Sequence, residues 1–320
     1  MDILQHKQQH ILIAGNDKLA VSLCVCMLQA GHQVTVYHIL HTDFLTAVRV
    51  HLDDILEYNG ELISLDKLSV VSRLDAEADF DLAVAVTGEN IEEKTELIKN
   101  LERYLPKHIP IAVNIESIKL SVLQEYALHP ERLLGANWVE PVHTTCFLEI
   151  VTNDVTDKTL LVDFDNLARQ SWNKDPYVLK NDVGIRAKMM SALLREAFYL
   201  VENDYVTIED IDRACRNDAG YYMPFAGNFR YMDLMGTYMY GVVMQDLNPE
   251  LSKDTHIPAF CRLRIDNGDK GMASGDGFYH YEPSEAEEWE ATFRKFSYQI
   301  QKIINKYPFN YLEKYTPVKS

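Results

Sequence analysis

The stretch His10-Ile11-Leu12-Ile13-Ala14-Gly15-Asn16-Asp17-Lys18-Leu19-Ala20 decides the fold. Its first half is a short apolar run closed by glycine, which reads as a buried strand. Residues 17–30 read as a helix, with Gly31 placed to end it. Gln33–Tyr37 is a second strand of β-branched type. The alternation continues. Further strands are expected at residues 61–64, 82–86, 109–113 and 147–151, with a helix over Ile91–Tyr104. Strands separated by helices in this way form a mostly parallel, doubly wound α/β sheet.

The patterning changes near Asn181-Asp182-Val183-Gly184, and beyond it the strong periods are helical. Helices are expected at 187–203, 228–245 and 284–306. Thr207-Ile208-Glu209-Asp210 supplies a cap, with acids facing the positive helix end. The expected architecture is an N-terminal Rossmann-type, dinucleotide-binding-like domain (1–181), followed by an all-α C-terminal domain (182–320).

Composition narrows the function classes. A hydrophobic share of 47% and a charged share of 25% are those of a soluble globular protein. A formal charge of -17 opposes nucleic acid and anionic membrane surfaces, because both require clustered Lys and Arg. No run approaches the roughly 18 apolar residues of a membrane span, and the first seven residues do not read as a secretory leader. The cysteines (Cys24, Cys26, Cys146, Cys215, Cys261) are odd in number and form no C-x-x-C. Core roles in a reducing, cytoplasmic compartment are expected, with no metal site assigned to them.

A dinucleotide fingerprint places G-x-G-x-x-G between strand and helix, the second glycine letting backbone approach the pyrophosphate. Here Gly15 keeps the turn, Ala20 holds the third position, and Asp17 replaces the second glycine. A carboxylate about 4 Å from one phosphate charge costs roughly 4 kcal/mol at an effective dielectric near 20. The acid expected some 20 residues on, for the ribose hydroxyls, is missing. His38, at the end of the second strand, is the residue left there, as a phosphate partner or a surface histidine.

The segment Gly135-Ala136-Asn137-Trp138-Val139-Glu140-Pro141 … Phe147-Leu148-Glu149-Ile150-Val151 resembles the active-site segment of the L-3-hydroxyacyl-CoA dehydrogenases, Gly-x-His-Phe-Phe-Asn-Pro … Val-Glu-Val-Val. The resemblance extends through Arg195-Glu196-Ala197 … Leu200-Val201-Glu202, Thr207 to Asp212, Met223-Pro224-Phe225 and Asp233-Leu234-Met235-Gly236. It ends at Gly268-Asp269-Lys270-Gly271 … Gly275-Asp276-Gly277-Phe278-Tyr279-His280-Tyr281, which the family writes Gly-x-x-Gly-x-x-x-Gly-x-Gly-Phe-Tyr-x-Tyr. It implies the fold above, NAD as cofactor, an acyl-CoA-like ligand and a homodimer formed through the helical domain.

The resemblance also assigns positions. In the family the histidine is the general base and the glutamate orients it; here the glutamate is kept as Glu149, and the base position is Asn137. Glu89 and Lys94 match a Glu-x-x-x-x-Lys beside the cofactor's ribose and nicotinamide, although a solvated pair at a helix start reads equally well. Asn114 matches the Asn of a Ser-Asn-Thr-Ser loop whose last Ser holds substrate; that Ser is Glu116 here. The Asn of Phe-Phe-Asn-Pro is Glu140, and a further family Asn corresponds to Ala187.

Three functions follow as expectations. The first is a dehydrogenase fold with degenerate catalytic and NAD-binding motifs and little or no ordinary activity. It keeps at most acyl-CoA or nucleotide binding, because an amide cannot take up a proton near neutral pH. The second is an active oxidoreductase whose substitute base is Glu149, another glutamate or His143. The third is a metal-assisted activity at Glu116, Glu140 and Glu149, which would crowd one cleft and raise each other's pKa.

Overall fold

The computed structural model describes residues 8–15, 17–37, 43–74, 79–180 and 182–307. The chain divides into two compact units, 1–188 and 189–320. His38 and Asn181 lie outside the described residues.

The first unit carries strands β1 (His10–Ala14), β2 (Gln33–Tyr37), β3 (Leu68–Val71), β4 (Leu82–Ala85), β5 (Ile111–Val113), β6 (Leu133–Asn137), β7 (Glu149–Val151) and β8 (Tyr177–Leu179). They form one sheet in the order β3-β2-β1-β4-β5-β6-β7-β8, parallel except for the β6–β7 pair. The chain starts in the middle of the sheet and reverses direction across it. The C-terminal ends of β1 and β4, adjacent at this switch point, mark where doubly wound sheets bind ligands.

Helices α1 (Lys18–Gln29), α2 (Phe44–Asn59), α3 (Ile91–Tyr104), α4 (Leu120–Gln124) and α5 (Lys158–Ser171) surround the sheet's strands in sequence. In α1 every residue from Ala20 to Leu28 is buried, Cys24 and Cys26 among them, as expected of a helix apolar all round. Burial pushes the Cys24 thiol up to about 12, so it serves the core and is not a nucleophile. Gly15 is required by close approach: a Cβ there would lie 2.6 Å from the Val86 carbonyl oxygen.

The second unit takes the later turns of α6 (Arg186–Glu202), then α7 (Ile208–Asn217), α8 (Ala219–Met235), α9 (Thr237–Leu247), α10 (Ala259–Asn267) and α11 (Glu285–Lys306). Thr207 and Asp210 form a reciprocal capping box at α7. The rings of Phe198, Phe260 and Phe278 pack together with centroids 5.7–6.3 Å apart. No described helix is long and apolar enough to cross a membrane.

Two expected elements are corrected. Residues 61–64 form no strand; Leu62 is 82% exposed there, and β3 forms four residues later, where Leu68 to Val71 register with Val34 to Tyr37. The helix expected over 228–245 is broken at Gly236, whose φ of 112° ends α8 before α9 begins.

Candidate functional site

Strand register builds the site. Asn137 faces Glu149 across the antiparallel β6–β7 pair, and Glu149 faces Tyr177 across β7–β8. The three side chains form a lateral row on one face of the sheet. Asn137 Nδ2 donates to Glu149 Oε2 at 2.8 Å, while Asn137 Oδ1 accepts from the Ile115 N–H at 2.8 Å. Glu149 Oε1 accepts from the Tyr177 hydroxyl (3.0 Å) and from the N–H groups of Ile185 (2.8 Å) and Arg186 (3.1 Å), at the start of α6. Glu149 is 0% exposed and Asn137 1%.

This is a filled structural joint. Both ends of the Asn137 amide are engaged, and the Glu149 carboxylate holds four donors, none of them an imidazole. Gly184 closes it from the other side: a Cβ there would stand 2.0 Å from Glu149 Oε2. Burial and the Glu149 charge push the Tyr177 phenol well above its ordinary range, so it stays protonated as a donor.

Glu116 lies apart from this row. Its carboxylate pairs with Arg186 Nη1 at 2.8 Å, both side chains being 38% exposed. Burial raises the Glu116 pKa, Arg186 opposes that, and Glu89 and Glu149 add to it. A carboxyl raised in the folded state favours folding at acid pH, and the contribution is lost as pH rises through the folded-state pKa. Arg186→Ala removes the strongest influence holding Glu116 down. Its midpoint in a carboxyl carbon-13 NMR titration is therefore expected to move higher; an unmoved midpoint would show that the pair does not form in solution.

Glu140 precedes the cis peptide to Pro141, and Ala187 brings no polar atom to the second position of α6. Of the glutamates expected to crowd one cleft, Glu149 does raise the Glu116 pKa, but Glu149 itself is sealed inside and Glu116 is paired with Arg186. Among the described residues no group of three or more His, Cys, Asp or Glu could hold a metal ion. His143, the other expected substitute base, is buried, with its ring 5.1 Å from that of His51 of α2.

The residues expected beside a cofactor interlock with one another. Lys94, with no exposed side-chain surface, donates to the Asn114 carbonyl at 2.6 Å and lies 3.5 Å from Glu89 Oε2. Asn114 exchanges two hydrogen bonds with the Thr87 backbone. Glu89 Oε1 accepts from the N–H groups of Glu116, Ser117 and Ile118. The solvated-pair reading of Glu89 and Lys94 is thereby excluded: the two staple the loops after β4 and β5.

At the switch point Asp17 caps α1, its Oδ1 accepting from the Ala20 N–H at 2.9 Å, with Gly15 and Ala20 around it. These residues fit a dinucleotide pyrophosphate poorly, because a carboxylate stands where the fingerprint has its second glycine. Sequence reasoning missed Tyr177, Gly184 and Arg186. The signal for the last two was their position at the patterning change, where a glycine and a cation precede a helix.

The comparisons with known proteins agree with this architecture. The family description "3-hydroxyacyl-CoA dehydrogenase, NAD binding domain" matches residues 10–183, and its C-terminal domain matches 185–281. The chain is 26% identical over 232 residues to 5-formyl-3-hydroxy-2-methylpyridine 4-carboxylate 5-dehydrogenase of Mesorhizobium japonicum, covering 72% of this chain and 75% of that protein. It is 28% identical over 295 residues to human mitochondrial hydroxyacyl-coenzyme A dehydrogenase, covering 85% and 91%. It also matches plant fatty acid β-oxidation multifunctional proteins, spanning only 30% of the cucumber one. The crystal structure of an enzyme described as an NAD+ dependent dismutase, a 5-dehydrogenase of the same pyridine carboxylic acid, superposes with a TM-score of 0.86 at 22% identity, over 94% of this chain and all of that one. With both domain descriptions matched in order along most of its length, the chain belongs to the 3-hydroxyacyl-CoA dehydrogenase family.

Proposed function

We propose that this chain keeps the family's fold without its proton relay, and has little or no ordinary 3-hydroxyacyl-CoA dehydrogenase activity. One observation carries the reading: the Asn137 amide is bonded at both ends, to the Ile115 N–H and to the buried Glu149 carboxylate. Oxidising a hydroxyl requires a proton acceptor within hydrogen-bond reach. The amide cannot act as one, and the Glu149 carboxylate, 0% exposed, is enclosed by four donors of the chain itself.

Ligand recognition is the capacity that remains. Arg186 is half-exposed and spends one guanidinium nitrogen on Glu116, leaving donors for an anionic group such as an acyl-CoA-like molecule or a small carboxylate. The relative from Mesorhizobium japonicum is named for a pyridine carboxylate, so both ligand types belong in the assay. A cytoplasmic setting and a homodimer through the helical unit are part of the proposal. Five free cysteines support the first. Tyr221, Phe229 and Tyr238, each at least 80% exposed, support the second, which sedimentation would test.

Wild-type protein supplied with NADH and acetoacetyl-CoA is expected to consume no NADH above background. Steady turnover would overturn the reading. Glu116 supports a second one, because its raised pKa and partial exposure suit a substitute base. In that case turnover would appear in the wild type and vanish in Glu116→Gln.

A further inference from the structure

We propose that Asp17 is a resident anion, occupying the phosphate position at the start of α1 so that the groove beyond β1 and β4 discriminates against the pyrophosphate of a dinucleotide.

Three observations converge on this. The Asp17 carboxylate accepts from Ala20 N–H at 2.9 Å, taking one of the donors that a helix end would offer a phosphate. Asp17 is also exposed and lines the groove at the switch point together with Gly15 and Tyr37. Further along the same groove Glu92, Glu93 and Glu96 of α3 add negative charge, with Lys99 and Arg103 beside them. Tyr37 closes β2, and its hydroxyl accepts from Asn100 Nδ2 at 3.1 Å, tying β2 to α3. The groove itself is roomy, about 960 Å³, and Gly15, Asp17, Tyr37 and Asn100 all line it. The groove has space for a ligand, so the proposed discrimination acts through the charge of Asp17 at the helix end.

The size of the effect has two bounds. In bulk water a carboxylate and a phosphate charge about 4 Å apart repel by an amount worth roughly fivefold in affinity. Once a bound dinucleotide has excluded that water, the same pair is worth about a thousandfold. Asp17 is exposed in the free protein, so the measured value should fall between these figures.

The test is NADH binding, read by nicotinamide fluorescence with no substrate present, on the full chain. Asp17→Asn keeps a good helix cap and removes the charge. Asp17→Gly restores the glycine of the fingerprint. Both are expected to bind NADH at least about fivefold more tightly than the wild type. Added salt should raise wild-type affinity and leave Asp17→Asn without that gain, because screening weakens the repulsion. Affinities within a factor of two across the three proteins, or no measurable binding in any of them, would overturn the proposal. The outcome is separate from the Asn137 reading, since neither variant supplies a proton acceptor and no turnover is measured.

Discussion

Glu149→Ala is expected to destabilise the N-terminal unit by about 3–5 kcal/mol, the range for removing one partner from a buried charged network. The substitution strips four donors of their acceptor at once. The Asn137 amide, 1% exposed, has nowhere else to turn without surrendering the Ile115 N–H. The N–H groups of Ile185 and Arg186 lose the group that fixes the start of α6. Each orphaned buried donor costs roughly 1–3 kcal/mol on its own. Glu149→Gln should be milder, about 1–3 kcal/mol. Its amide oxygen can serve Tyr177, Ile185 and Arg186, but its NH2 would then meet the NH2 of Asn137. Relieving that clash by turning Asn137 over sacrifices the Ile115 bond. Trp138 and Trp172, both buried in this unit with ring centroids 5.8 Å apart, give the readout. Urea unfolding followed by their fluorescence should show midpoints in the order wild type, Glu149→Gln, Glu149→Ala. A loss under about 1 kcal/mol for the alanine variant would mean that the joint is not structural, and would return Glu149 to the list of candidate bases.

The parts of this molecule that the sequence discloses are those made by local pattern. β1, β2 and α3 are read from short apolar runs and a strong helical period, and α7 from the chemistry of its cap. What is not disclosed depends on partners far along the chain. β8 is three residues long and exists because Tyr177 to Leu179 register with Glu149 to Val151. β3 is half exposed and has no distinctive pattern; pairing with β2 alone makes it a strand. The substitution at Asn137 is visible by its spacing from Glu149, but its consequence is not. Only the folded chain shows that the amide has become a buried link. Arg186 reads as an ordinary charge at a helix start until Glu116, 70 residues earlier, is placed against it. Lys94 is the reverse case. A Glu and a Lys five apart resemble a surface pair, and the fold buries the lysine under two loops.

The same distinction between a filled joint and a working site extends to the opposite end of the sheet, where Glu102 and Arg132 are both sealed in the interior, with side-chain exposures of 0% and 2%. Glu102→Ala is expected to cost about 3–5 kcal/mol. The carboxylate accepts from the N–H groups of Leu128 (2.8 Å) and His129 (3.0 Å) and lies 3.4 Å from Arg132 Nη2. Arg132 Nη1 in turn donates to the Pro106 carbonyl at 2.7 Å, tying the end of α3 to the entry of β6. Without Glu102 the guanidinium is a buried cation left with only the weaker influence of Glu131, and burial already pulls its pKa down. The ion pair itself contributes less than its breakage suggests, because taking both charges out of water is expensive. The double replacement Glu102→Leu with Arg132→Met should therefore recover a large part of the loss, giving a coupling energy of the size found between contacting residues, up to about 3 kcal/mol. If the double variant is instead as unstable as the sum of the two single changes, the groups do not act as a pair, and the destabilisation belongs to the two orphaned N–H groups at 128 and 129.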